Sequence, residues 1–474
     1  MLSKNLLNSY FNIDEAGSTP RKEISAGAVT FFTMAYIIFL QPAILSGSLF
    51  GFSTGMSASS VATATILSSF IAAAVMGLYA KLPIALAPGM GENFFFVLTV
   101  IPAASALNPD KGWQIALGAV FISGVLFFIL SASGARKWII EAVSPGMKSA
   151  IAGGIGLFIA LIGLKNGSII VSSQSTGLAL NSDIYGPDAL IFFAGLLITI
   201  TLHARKIPGS ILIGIVATTF LAALLKFLLK YSVDITPGGA VSESLLFSRF
   251  AIPDAILAVP DMDFSTFFAL DISGAFTVSM IPYIFILLFM MAFDTTGTLI
   301  AIGERAGIMK NGELPRAGRA FITDAGATVI GALFGTSTVT AYIESTAGVQ
   351  QGGRTGLTAV TVGFFFLLTL FLSPVIMMIG NYPPVTAPAL VMVGAMMIES
   401  IQDIDWKDAT ESVPAFLTLA GIPFTYSISD GIALGLLVYP VMKILTGKYR
   451  EINPMMIAAA VIVSGYLFIL RPAI

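Results

Sequence analysis

Hydrophobic stretches that approach the roughly 20 residues of a bilayer-spanning helix recur from Ile24 onward, with short polar breaks between them. They fall near 25–46, 58–80, 113–132, 147–165, 188–204, 208–229, 276–302, 319–335, 356–378, 385–401, 412–426, 428–446 and 454–471. Two more segments break the pattern. The one near 84–103 opens with Pro83, Pro88, Gly89 and Gly91, which should delay a regular helix until about Asn93. The one near 336–352 opens with the run Thr336-Ser337-Thr338-Val339-Thr340 and ends at Gly352-Gly353. Each predicts a short strand of extended backbone followed by a half-helix. The pattern is that of an all-α polytopic membrane protein.

Composition agrees. Of 474 residues, 56% are hydrophobic and 11% charged, where a soluble chain carries roughly a quarter charged. With 24 Lys+Arg against 26 Asp+Glu the net charge is −2, and no basic stripe exists for nucleic acid. A cytosolic enzyme, a disordered chain and a nucleic-acid binder are excluded. The chain has no cysteine and a single histidine, His203, which removes disulfides, thiolate metal sites and a zinc centre, so no metal is expected. Residues 1–24 are polar and of mixed charge, without a short apolar core and small-residue cleavage site. The first hydrophobic segment is expected to stay in the membrane.

Basic loop residues set the orientation. If spans alternate, Arg21-Lys22, Lys81, Arg136-Lys137, Arg205-Lys206, the four basic residues from Arg305 to Arg319, Arg354 and the stretch Lys443 to Arg450 share one face. That face is expected to be cytoplasmic, with residues 1–24 on it, in a multi-pass protein of the cell membrane. The longest loop of the opposite face, 231–275, is rich in Asp, Ser and Pro. It separates a first half, 25–230, from a second, 276–446, each of seven segments. Residues 447–474 form a hydrophobic C-terminal segment whose crossing is left open.

The halves echo each other. Phe32-Thr33-Met34-Ala35-Tyr36 matches Phe289-Met290-Met291-Ala292-Phe293, the broken segment is third in each half, and Ile207-Pro208-Gly209-Ser210-Ile211 sits where Ser429-Asp430-Gly431-Ile432 does. Because an odd-numbered repeat inverts its partner, these features predict fourteen transmembrane segments as a 7+7 inverted repeat, the plan by which secondary transporters build a central site.

An ionised side chain at mid-bilayer costs about 2.5–3.5 kcal/mol on insertion scales, so acids within spans need a function. Asp294 lies deep in the eighth segment, within Ala292-Phe293-Asp294-Thr295-Thr296-Gly297-Thr298; Glu344 lies where extended chain enters the tenth half-helix; Glu92 and Asn93 lie at the matching junction of the third. A helix that starts in mid-membrane offers unpaired amides and a positive dipole end, and extended backbone at that depth must line a cavity or be buried in protein. The two junctions are expected to face each other across one site. Backbone groups, the acids Asp294 and Glu344, and the aromatic faces of Phe94, Tyr36 and Tyr342 would suit a planar ligand with donor and acceptor edges. A nucleobase is such a ligand.

Other polar residues have plainer readings. Asp324, one turn into the ninth segment, reads as structural or gating, Asp430 as the cap of a helix starting at Gly431, and His203 as solvated beside Arg205 and Lys206. Glu92 could cap its half-helix or face the aqueous mouth. Gly153-Gly154-Ile155-Gly156 lacks the Lys-Ser/Thr of a phosphate loop and reads as a close helix contact.

At these residues the sequence resembles the AzgA-like branch of the nucleobase–cation symporter 2 family, the purine permeases for adenine, guanine and hypoxanthine. The resemblance runs from about Ala26 to the end. It is carried by Phe31-Phe32-Thr33-Met34-Ala35-Tyr36-Ile37-Ile38, by Ala87-Pro88-Gly89-Met90-Gly91-Glu92-Asn93-Phe94-Phe95, by the stretch from Leu157 to Asn166, by Phe293-Asp294-Thr295-Thr296-Gly297-Thr298-Leu299, by Ile343-Glu344-Ser345-Thr346-Ala347-Gly348-Val349, and by Pro414-Ala415-Phe416-Leu417-Thr418. It implies a core domain of segments 1–4 and 8–11 that moves, elevator-like, against a gate domain of segments 5–7 and 12–14. It further implies that Asp294 and Glu344 hold the base and that Asn93 supports the site; Tyr342, Ile343, Ser345 and Thr298 are expected to border it. Glu92 departs from the family, in which many members have an apolar residue there. Thr298 stands where uracil carriers of the wider family have a histidine.

The expected activity is purine import by proton symport, with Asp294 and Glu344 as the proton-coupling positions and no cofactor beyond the proton. A protonated carboxyl can donate one hydrogen bond and accept another, matching a purine amide or amidine edge, whereas the ionised form lacks the donor. The alternatives are a xanthine or uracil carrier of the same fold, a channel, and an intramembrane aspartyl protease using Asp294 and Asp324. Two acids argue against an anion as cargo. Purine and membrane lipid are the expected partners, and a homodimer is left open.

Overall fold

A computed structural model describes residues 2–134, 143–173, 176–232, 241, 243–260, 262–309, 314–465 and 467–468. The basic pair Arg136-Lys137, residues 310–313 of the basic stretch, residues 233–240 of the long loop and part of the C-terminal segment lie outside them. The chain is mostly helical, and eleven helices are long and apolar enough to span a bilayer. The remaining predicted segments are shorter or more polar. Helix Ala317–Phe334 carries Arg319 and Asp324, helix Ala409–Thr425 has 17 residues, and helix Ser345–Gln350 has six.

Helix boundaries follow the local chemistry. Pro20, Pro145, Pro187 and Pro383 each stand in the first turn of a helix, where φ is already suitable and no N–H is missed. Thr19, Ser57, Ser144 and Ser427 cap helix starts with their side-chain oxygens. Helix Ala317–Phe334 stops at Gly335, at φ +92°, a conformation that suits glycine. Two starts differ from expectation. The third segment turns helical at Met90 rather than Asn93, because Gly89 takes the cap position and Gly91 is tolerated within the turn. The last long helix starts at Ile428, with Ser427 as cap and Asp430 in the first turn.

The helices pack in two groups. One contains Pro20–Met34 with Ile37–Leu45, Ala58–Val75, Gly112–Ser133, Ile281–Ala306, Ala317–Phe334 and Gly356–Leu368. The other contains Pro145–Asn166, Pro187–Ala204, Ser210–Ser232, Pro383–Met397, Ala409–Thr425 and Ile428–Leu445. Small residues set the closest approaches inside each group. A Cβ on Gly356 would lie 1.9 Å from the carbonyl oxygen of Gly77, and one on Gly394 would lie 2.4 Å from that of Gly156. Gly153 and Gly154 likewise press against Ile401 and Ile422.

The long loop is tied to both groups. Asp188 accepts from the N–H of Leu245 and Leu246 and from the Tyr382 hydroxyl, which fixes the short helix Leu245–Ser248 on the second group. Further along, Ser57 donates to Asp263, Thr266 donates to the Phe334 carbonyl, and Asp271 N–H bonds to Gln114, all in the first group. At the opposite end of the second group Lys443, 2% exposed, lies 2.8 Å from Glu411 and 2.6 Å from Glu451. Tyr439 and Ser144 also donate to Glu411. Lys448 bonds Asp408, the cap of helix Ala409–Thr425, and holds its carboxyl below the usual range.

Candidate functional site

The two broken segments meet. Strand Leu86–Pro88 pairs antiparallel with strand Val339–Ala341, Ala87 opposite Thr340, so extended backbone within the membrane region is satisfied by a partner from the other half of the chain. Gly89 N–H bonds to Thr338 and Tyr342 N–H to Ala85, which extends the ribbon at both ends. Side chains complete it. Tyr342 donates to the Pro88 carbonyl at 2.5 Å, and Ser345 accepts from Ala85 N–H at 3.0 Å. Tyr342 and Ser345 therefore build the ribbon, and their polar atoms are committed to it.

The outer edge of strand Val339–Ala341 hangs on helix Ala317–Phe334. Thr328 bonds both the N–H and the carbonyl of Val339. Asp324 accepts from Ala341 N–H at 2.8 Å with one oxygen and from the Thr295 hydroxyl at 2.6 Å with the other. Asp324 is fully buried, and it fastens the strand and the Asp294 helix to the ninth segment. Both of its oxygens are thus engaged within the fold.

Asp294 sits midway along the 26-residue helix Ile281–Ala306 and accepts from the Thr340 hydroxyl at 3.1 Å. Unlike the packed residues around it, Asp294 is exposed, and it is the common electrostatic neighbour of Glu92, Asp324, Tyr342 and Glu344. Its carboxylate is thus open within a cluster of acids. Glu344 precedes helix Ser345–Gln350, and its Oε1 accepts from the Tyr36 hydroxyl at 2.7 Å. Tyr36 stands at the break between helices Pro20–Met34 and Ile37–Leu45, so the first segment orients the tenth-segment acid. Tight turns at Tyr342–Ser345, Ile343–Thr346 and Glu344–Ala347 already use the first amides of this half-helix. Those amides are therefore paired within the turn. Ile343 is half-buried beside Glu344, and Thr298 is buried one turn beyond Asp294.

Glu92 is buried, with Oε2 folded back over Gly89 and close to the Thr340 methyl. It therefore lies inside the acid cluster, not at a surface mouth. Phe94 is fully buried and makes edge contacts with Phe50 at 5.7 Å and with Phe158 of helix Pro145–Asn166 at 6.3 Å. Among the described residues no group of three or more His, Cys, Asp or Glu is arranged to hold a metal ion. His203 is exposed near Ser210, away from these elements.

One residue of this region went unread in the sequence. Gln41, fully buried, donates to Asn93 at 3.0 Å, to Thr336 at 2.8 Å and to Ser337 at 3.3 Å, and accepts from the Asn93 amide. Ser337 also donates to Asn93 Oδ1. The acceptor of Asn93 is thereby occupied, so Asn93 acts by locking the first, third and tenth segments together. The signal was present as a polar residue before Pro42 inside an otherwise apolar run. Gln41→Leu should strand the Asn93 amide in a dry interior, at about 1–3 kcal/mol. Thermal unfolding in detergent should show that loss, and unchanged stability would mean that the amide pair does not lock the segments.

A model of a permease family, Xan_ur_permease, matches residues 21–434. The guanine/hypoxanthine permease PbuO of Bacillus subtilis is 39% identical over 460 residues, covering 97% of this chain and all of the relative. The adenine permease AdeP of Escherichia coli is 38% identical over 467 residues, covering 98% of this chain and 96% of the relative. Among solved structures, the transmembrane domain of a cyanobacterium bicarbonate transporter, BicA, superposes with a TM-score of 0.57 at 17% identity, covering 88% of this chain and 97% of that one. That likeness is one of fold.

Proposed function

The chain belongs to this permease family, a family of transporters rather than enzymes, and on that premise we propose that it imports purine nucleobases by proton symport across the cell membrane. The aspartyl-protease reading falls with the family, and Asp324 has both oxygens engaged. The observation that supports the purine reading best is the pairing of the two broken segments, with Asp294 and Glu344 beside it, in a chain whose relatives are named for adenine and for guanine and hypoxanthine.

In this reading the chain has fourteen segments as two inverted repeats, with the N-terminus in the cytoplasm. The first packing group is the core and the second the gate, and the core carries its cargo by moving against the gate. Glu344, oriented by Tyr36, recognises an amide or amidine edge of the base; Asp294 takes up the coupled proton; Phe94 and the ribbon residues Tyr342, Ile343 and Ser345 shape the site around them. Thr298, in place of a histidine, sets the site apart from a uracil carrier. A carboxyl that gains a proton gains a donor, so binding and protonation are linked.

The test is uptake of labelled adenine, guanine and hypoxanthine into proteoliposomes, with and without an inward proton gradient and with unlabelled bases as competitors. Saturable uptake, raised by acid outside and competed by purines, is expected. Uptake that is indifferent to the proton gradient would remove the symport; uptake that does not saturate would make the protein a channel.

A further inference from the structure

A cavity of about 500 Å³, within the roughly 300–1,000 Å³ range of small-ligand sites, opens on the face that carries the long loop, and is lined by Ser48, Gly51, Phe52, Ser53, Arg249 and Asn381. Its walls come from three places. Ser48 to Ser53 follow the first segment of one packing group. Arg249 ends the short helix that Asp188 fixes on the other group. Asn381 lies between helices Ser373–Gly380 and Pro383–Met397. The cavity therefore sits where the two groups meet at the surface.

Its chemistry is specific. Phe52 is 44% exposed, with one face stacked on Phe50 at 5.7 Å and 20°, which leaves the other face for a ligand. Phe50 in turn makes an edge contact with the fully buried Phe94 at 5.7 Å. Among the described residues neither the Arg249 guanidinium nor the Asn381 amide is engaged by another side chain. A ring face, a planar five-donor fork and an amide with both donor and acceptor suit a planar heteroaromatic ligand. Arginine matches the acceptor pair on a guanine edge and asparagine the donor and acceptor on an adenine edge, while any base can stack on an exposed phenyl face.

We propose that this cavity is an outer antechamber in which a nucleobase docks, stacked on Phe52 with its polar edges toward Arg249 and Asn381, before it enters the central site. The inference rests on the purine-carrier reading and adds a second, surface-facing station to it. In cells without purine uptake of their own, Phe52→Ala and Arg249→Gln should each raise KM for external purine about tenfold. Vmax, and the Kd of purified protein in detergent with both faces open, should stay within about twofold. Phe52→Trp, which keeps a stacking face, should restore KM. An unchanged KM in both variants, or a joint fall of Vmax and purine affinity, overturns the antechamber while wild-type uptake still supports the carrier. No purine uptake by the wild-type protein overturns the carrier reading itself.

Discussion

Asp294→Asn should yield a carrier that still exchanges purine across a membrane but no longer accumulates it when the outside is acidic. Asparagine keeps the size of the side chain and can still accept from Thr340, whose hydroxyl bonds Asp294 at 3.1 Å, so the ribbon and its supports should survive. What it cannot do is gain and lose a proton. Of the acids in the cluster, Asp324 has both oxygens bonded and Glu344 is held by Tyr36, whereas Asp294 is exposed. The readout is the ratio of internal to external purine in proteoliposomes with a proton gradient, beside counterflow without one. Accumulation should fall to the level of equilibration, with counterflow retained. Full gradient-driven accumulation by the variant would move proton coupling to Glu344 or Glu92.

The largest effect on stability is expected far from that site, at Lys443. This side chain is 2% exposed and 2.8 Å from Glu411, which is 17% exposed and also accepts from Tyr439 and Ser144. Removing one partner of such a pair leaves an uncompensated charge, a loss of about 3–5 kcal/mol. Lys443→Met should therefore lower the unfolding temperature of the detergent-solubilised protein substantially, and Glu411→Gln added to it should restore most of the loss. The contact with Glu451, which is 54% exposed, is worth about 0–1 kcal/mol and should not mask the result. If the two substitutions are simply additive, the pair is not coupled.

These two residues mark what the sequence discloses. Asp294 was legible because an acid inside an apolar run is costly, and that cost can be seen without coordinates. The broken segments were legible for the same kind of reason, since Pro88, Gly89 and the Thr336 to Thr340 run cannot continue a regular helix. Lys443 was not, because its meaning depends on Glu411, 32 positions earlier by number, and on the packing that brings Ser144 and Tyr439 to the same carboxylate. Gln41 lies between these cases: its polarity was visible, but the reciprocal amide pair with Asn93 depends on how three segments cross. The register of the ribbon, with Ala87 opposite Thr340, is likewise a property of the assembled halves. The third segment turns helical at Met90, three residues before its glycines suggest, and the helix of segment 428–446 is capped by Ser427 rather than Asp430.

The ribbon also has a consequence for biosynthesis. Leu86–Pro88 leaves the ribosome roughly 250 residues ahead of its partner, a wait of about 10–50 s at ordinary rates of chain elongation. During that interval its backbone groups have no partner from the second half, and leaving them bare in hydrocarbon costs several kcal/mol each. The first half must therefore hold this segment near water or under a temporary cover, so that the ribbon closes only after the second half has emerged as far as Val339–Ala341.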